Sequence, residues 1–342
     1  MKRGGAKKFL PYIDYLKALG LLLIILAHSC DNQIIMQLRI FDVQLMVVIS
    51  GLLAYDSYKR SLDRGGTLLD YYKKRITRLL IPAWIFLTFY FLFLWVENLG
   101  GAFPYTPERV MRSYLLLDGI GYVWIIRVYL LCALITPLAV FLKEKLKKNY
   151  LIYILLLVLY VGYEIAVCFG LNELNMFFEF ILAYLIPYGV IYALGMLCAK
   201  SKNKYYSFIL SGIFLVIFSI VFILLYTNSG QIVPLRTAKY PPTIYFISYS
   251  LFMSFLLIGI SKRLKLKSNR LVQFISRSSL WIYLWHILMI HIVECLNMSI
   301  WPPRYILIVI GACIITYAQN KVVDYLERNT KINKKLLALF RG

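Results

Sequence analysis

The chain has 342 residues, 61% of them hydrophobic, with a mean hydropathy of +0.72 and a formal net charge of +22. So apolar a composition excludes a soluble globular domain. The cations sit in short clusters between apolar runs, so the basicity is a matter of topology and not a nucleic-acid footprint.

Apolar stretches of spanning length, roughly 20 residues each, recur along the whole chain. Ten are read, at 12–29, 40–58, 80–96, 122–142, 150–169, 178–199, 206–227, 244–261, 274–296 and 305–323. The first follows Lys2, Arg3, Lys7 and Lys8, which imitates a signal peptide. Lys17 interrupts the run and no small-residue cleavage site follows it cleanly, so it is read as the first helix. It holds Asp14, Lys17 and His28. Eleven residues at about 100° each return His28 to within ~20° of the Lys17 face, roughly 16 Å further along. Asp14 lies on nearly the same face and can neutralise the ammonium. Such groups are costly in hydrocarbon, so they face a protein interior or a water-filled cavity. One reading is a structural ion pair with a histidine at the far interface; the other is a functional site.

After the second span, Leu68, Leu69, Tyr72, Ile76, Leu79 and Leu80 fall at helical spacing, with Lys73, Lys74, Arg75 and Arg78 largely opposite. This predicts an amphipathic helix at about 67–79 on the cytoplasmic face, its cations meeting lipid headgroups or a bound polyanion. Ser50-Gly51 is read as a close helix contact. Trp84, Trp95, Trp124 and Trp301 lie near span ends, as an aromatic belt would. Arg127 in the fourth span and Glu164 in the fifth each need a partner or water; they either pair with each other or line a cavity. His286 and His291 in the ninth span are five apart and on different faces, so no two-histidine metal site is expected. His286 is read as hydrogen-bonded structure first and as a site residue second. The six cysteines show no paired spacing and are read as packing residues, with no metal and no disulfide framework.

Lysines and arginines concentrate at both termini and after even-numbered spans, among them Lys59, Arg60, Lys143, Lys147, Lys148, Lys200, Lys262, Arg263, Lys331 and Lys334. The opposite connections hold Arg39, Arg109, Arg112, Arg236, Lys239 and Arg304. This bias predicts an all-α polytopic protein of about ten transmembrane helices, a single unit over 1–342 with a basic tail at about 324–342. Both termini are then cytoplasmic. Gly-x-Ser-x-Gly, His-Glu-x-x-His and Cys-x-x-Cys are absent, which leaves no soluble-type hydrolase or metal enzyme to consider.

Five segments in order carry a resemblance. Asp14-Tyr-Leu-Lys17 with His28, the stretch Phe41–Ile-Ser50-Gly51, Arg75-Ile-Thr-Arg78 before Pro82, Tyr122-Val-Trp124, and Ser276 through Tyr283-Leu-Trp-His286 resemble the membrane-bound acyltransferase-3 family. Its hallmark is an Arg or Lys and a His with ten residues between them. The flavour is nearest the fucose 4-O-acetylase-like branch. Asp42 departs from that family's pattern where relatives often have His, as does Ile-Ile after Trp124. The resemblance implies transfer of an acyl group, acetyl by preference, from cytoplasmic acyl-CoA to a hydroxyl of a cell-surface carbohydrate or glycolipid, with no bound cofactor. It implies that His28 is catalytic and that Lys17, Arg75, Arg78 and, less strongly, Lys74 serve acetyl-CoA; Asp14 with Lys17 either tunes the surroundings of His28 or meets a phosphate or the thioester carbonyl. Trp124, Arg127, Glu164, Tyr283 and His286 are candidates for the acceptor cavity. A transporter or flippase for a glycan or lipid-linked sugar is the alternative; it has no need of a CoA-binding helix and usually shows a repeat between halves, which is not found here.

Overall fold

The computed structural model describes residues 10–146 and 149–341. The N-terminal cations Lys2, Arg3, Lys7 and Lys8, and Lys147 and Lys148 of the fourth cluster, lie outside the described residues. Among those described the chain is helical throughout, with ten long helices: α1 (Pro11–Ala27), α2 (Asp42–Leu62), α3 (Leu68–Glu97), α4 (Trp124–Lys145), α5 (Asn149–Cys168), α6 (Ala183–Lys200), α7 (Tyr206–Ser229), α8 (Ile244–Arg263), α9 (Ser279–Cys295) and α10 (Trp301–Asn329). Eight segments are long and apolar enough to cross a membrane. A ninth qualifies if Arg270–Arg277 and α9 count as one bent span, and α1, at 17 residues like α9 alone, falls just short of spanning length.

Two differences from the sequence expectation have local causes. The stretch at 67–79 is not a separate interfacial helix but the first turns of α3. A capping box starts it: the Thr67 hydroxyl accepts from the Asp70 N–H while the Asp70 carboxylate accepts from the Thr67 N–H. Thirty residues then run on to Glu97, about 45 Å of helix. The expected span at 274–296 is broken. Arg270–Arg277 is a short helix capped by Asn269, and α9 leaves it at 79°. A hinge at Ser278 lets one amphipathic piece lie across the bundle end while the apolar piece crosses.

The helices do not share burial equally. The α2 span is 72% buried within the protein and the α7 span 11%, so α2 is the central post and α7 faces lipid. α2 meets α6 at backbone contact. A Cβ on Gly51 would stand 2.1 Å from the Tyr192 carbonyl oxygen, and one on Gly195 2.3 Å from that of Val48. This explains Ser50-Gly51: only glycine lets the two backbones approach so closely.

Candidate functional site

α1 joins two differently built regions. At its first turns Asp14 and Lys17 do not act on His28, which lies three turns away. Both hold the short helix before α9: the Ser276 hydroxyl donates to Asp14 Oδ1 at 2.6 Å, and Lys17 Nζ donates to the Ser276 carbonyl at 2.9 Å. The first and last of the five segments are thereby clamped together. The Asp14 carboxylate is thus engaged by Ser276, three turns from the imidazole.

Lys17 also stands at the mouth of a cavity of about 370 Å³. Arg60, Arg75, Arg78, Arg277 and Arg341 ring this mouth. Among the described residues, Arg60, Arg75, Arg78 and Arg277 form no ion pair, whereas Arg341 is held by Asp324 and Glu327 at 2.5 Å each. Arg75 donates to the Ser57 hydroxyl and stacks over the Tyr71 ring. Lys74 is exposed and lines no part of the cavity. The sequence reading named two of the five arginines. The others come from α2, the short helix and the C-terminal segment, whose order in the chain gives no hint of a common mouth.

From this mouth the cavity climbs α1 by way of Leu21 and Ile24, with Ile125, Ile126, Tyr129 and Tyr283 as its other walls. Ile24 lies one turn below His28, and Tyr283 about one turn below His286. From Lys17 to Ile24 is seven residues, about 10 Å. The Tyr129 hydroxyl is buried without a hydrogen-bond partner.

Above the cavity, rings close in. The His28 imidazole lies 4.8 Å from the Tyr122 ring, edge to face, and 5.5 Å from the His286 ring. His286 is fully buried. Its Nδ1 meets the Tyr283 carbonyl, which can only accept, so Nδ1 carries the hydrogen and Nε2 bears a free lone pair. That Nε2 has no hydrogen-bond partner. The Tyr283 hydroxyl donates to the Tyr122 carbonyl, tying α9 to the segment that bears Trp124. His286, read from sequence as structural first, is thus a neighbour of His28.

Charge surrounds these rings on the far side. Arg39 and Asp42 form a buried ion pair at 2.5 Å, and the Asp42 carboxylate also accepts from the Val43 N–H at 2.7 Å. The charges of Arg39 and Lys239 reach His28, and that of Lys239 reaches Asp42. Burial holds the Lys239 ammonium below the ordinary lysine range; Asp42 opposes this shift and Arg39 adds to it. Trp124 packs between Tyr184, Tyr188 and Tyr240, with Lys239 Nζ 5.8 Å from its ring. Arg127 lies 4.4 Å over Tyr184, its Nε and Nη1 buried without partners. Among the described residues, Arg127 and Glu164 do not pair with each other. Glu164 faces Tyr160 and the start of α8 at Ile244. Arg39, Asp42 and Lys239 went unselected in the sequence; Arg39 and Lys239 are among the few cations of the sparsely charged connections, which is the signal that marks them.

A family model described as an acyltransferase domain matches residues 10–319, nearly the whole chain and all the elements above. No curated protein and no solved structure matches the chain. The chain belongs to the acyltransferase-3 family, and it is a multi-pass helical membrane protein of acyl-transfer type.

Proposed function

We propose that this acyltransferase moves an acetyl group from cytoplasmic acetyl-CoA to a hydroxyl of a carbohydrate or glycolipid at the cell surface. In this reading it is an O-acetyltransferase of the fucose 4-O-acetylase-like branch, set in the plasma membrane with ten crossings and both termini cytoplasmic. One observation carries the reading: the arginine-ringed cavity opens at the basic end and ends one turn below His28. It gives a donor from the basic side a path to an imidazole that lies some 24 Å along α1 at 1.5 Å per residue.

The parts divide the work by their chemistry. Unpaired guanidinium groups of Arg60, Arg75, Arg78 and Arg277 suit the phosphates of coenzyme A. Leu21, Ile24, Ile125 and Ile126 offer an apolar sleeve for the pantetheine arm, which brings the thioester toward Tyr129 and Tyr283. The unpartnered Tyr129 hydroxyl is placed to donate to the thioester oxygen as charge develops there. His28 takes the proton of the acceptor hydroxyl, whose oxygen attacks the thioester carbon. The carbon–sulfur bond breaks, and the proton passes to the departing thiolate, giving an O-acetyl ester and CoA. The buried Nε2 lone pair of His286 beside His28 steadies the imidazolium formed in between. On the far side the rings around Trp124 offer a stacking surface for a sugar, with Lys239 and Arg127 as donors to its oxygens.

Membranes bearing wild-type protein or His28→Ala at matched expression, given labelled acetyl-CoA with cell glycans present, test this. Acetylated glycan and free CoA from wild type alone support the reading. Untouched acetyl-CoA in both, with glycan movement across sealed vesicles instead, replaces it with transport.

A further inference from the structure

α3 and α9 end together on the far side of the protein. Glu97 is the last residue of α3; His291 and Cys295, four apart on one face, occupy the last turns of α9. His291 Nε2 lies 2.6 Å from Glu97 Oε2. Cys295 Sγ lies 3.6 Å from Glu97 Oε1 and 3.7 Å from His291 Nε2. We propose that Glu97, His291 and Cys295 form a binding site for a divalent cation of the zinc type, which fastens the far end of α3 to that of α9.

The donor set is the first argument. Imidazole nitrogen, thiolate sulfur and carboxylate oxygen are the ligands zinc takes, three from the protein and one position for water. Tetrahedral bonds of about 2.0–2.3 Å separate ligand atoms by roughly 3.3–3.7 Å. Both sulfur distances already have that length, and a small turn of the Glu97 carboxylate opens the third. The second argument is independent of the side chains. Two helix C-termini, of 30 and 17 residues, converge here with the negative ends of their dipoles. The charges that reach the Cys295 thiol are those of Glu97 and Glu294. A cation is the partner such a place calls for, and Zn²⁺ with one carboxylate and one thiolate leaves the three-ligand unit neutral. Binding displaces the thiol proton to solvent, and the hydrogen that His291 Nε2 gives to Glu97 shifts to Nδ1, which leaves the Nε2 lone pair for the ion. The third argument is access. Side-chain exposure is 24% at His291 and 35% at Glu97, and Cys295 is exposed, so an ion can enter. Tyr90 and Phe93, edge-on at 6.4 and 6.2 Å, hold the imidazole plane. Arg75 and Arg78 stand near the other end of α3, and His286 lies on α9, so this link couples the two helices that carry both halves of the proposed site.

Purified full-length protein titrated with Co²⁺ as a probe, then with Zn²⁺ in competition, tests the proposal without reference to acyl transfer. The expected result is one Co²⁺ per chain with a thiolate-to-cobalt charge-transfer band that Zn²⁺ erases. Cys295→Ser removes the band, and His291→Ala and Glu97→Gln each weaken binding by about tenfold or more, as loss of one of three ligands requires. Cys168→Ser, at the other exposed thiol, leaves the titration unchanged. Zn²⁺ also raises the melting temperature of wild type and not of Cys295→Ser, which separates loss of the site from loss of the fold. Absence of stoichiometric binding in wild type, or binding that all three ligand variants retain, overturns it.

Discussion

The two ends of α1 are made of different materials. Around Lys17 are long cations ringing an open mouth, four of the five arginines without an ion pair among the described residues. Around His28 are stiff rings in contact, a buried ion pair and buried polar atoms without partners. A mouth of loose guanidinium groups suits a mobile polyanion that must bind and leave, because each contact is weak alone and screened by solvent. Packed rings suit a step in which one proton moves between fixed atoms, because preorganisation removes the cost of arranging them. In the proposed reading, binding belongs to one end and chemistry to the other.

The sharpest way to break that contrast is His28→Ala. It is expected to lower acetyl transfer by about 10²–10⁴-fold, as loss of a positioned general base does, with binding of CoA to the purified protein kept; loss of both together would put the two functions in one place. His286→Gln comes next. It is expected to lower kcat by less than His28→Ala while KM for acetyl-CoA stays put, and a rise in KM alone would move His286 to the binding side. At the other end, Arg75→Ala and Arg78→Ala are each expected to raise KM for acetyl-CoA by about tenfold, the value of one charge-assisted hydrogen bond. Lys74→Ala, exposed and outside the cavity, should leave KM unchanged. Raising the ionic strength should mimic the arginine variants and not the histidine ones.

The smallest effect belongs to the loop before α4. Its Arg112 holds Asp118 with two donors, at 2.5 and 2.8 Å, and keeps that carboxyl below its usual range. A carboxyl depressed in the folded state stabilises fully above its unfolded pKa, near 4, and loses that contribution as pH falls through the lower folded value. Asp118→Asn should therefore lower the melting temperature slightly at neutral pH, and the gap to wild type should vanish in strong acid. A gap that persists there would mean Asp118 acts through hydrogen bonds and not charge.

The sequence alone makes legible what depends on local pattern. Apolar runs with alternating basic connections dictate a helical membrane protein, because hydrocarbon tolerates only backbones whose hydrogen bonds close within the helix. The Lys17–His28 spacing marks both as occupants of one face, and Gly51 as a place of close approach. What it did not determine arises between segments remote in the chain. Asp14 and Lys17 look like partners for His28 on a helical wheel, yet they hold Ser276, because the wheel shows direction and not what stands opposite. His286 reads in the chain either as hydrogen-bonded structure or as a site residue, and only packing brings it to His28. The arginine ring draws on Arg60, Arg277 and Arg341 as well as α3, and Glu97 meets His291 and Cys295 across nearly two hundred residues. Such meetings arise only in the packed bundle: helix periodicity orders each face, but the crossing of helices through contacts such as Gly51 against Tyr192 chooses which faces meet.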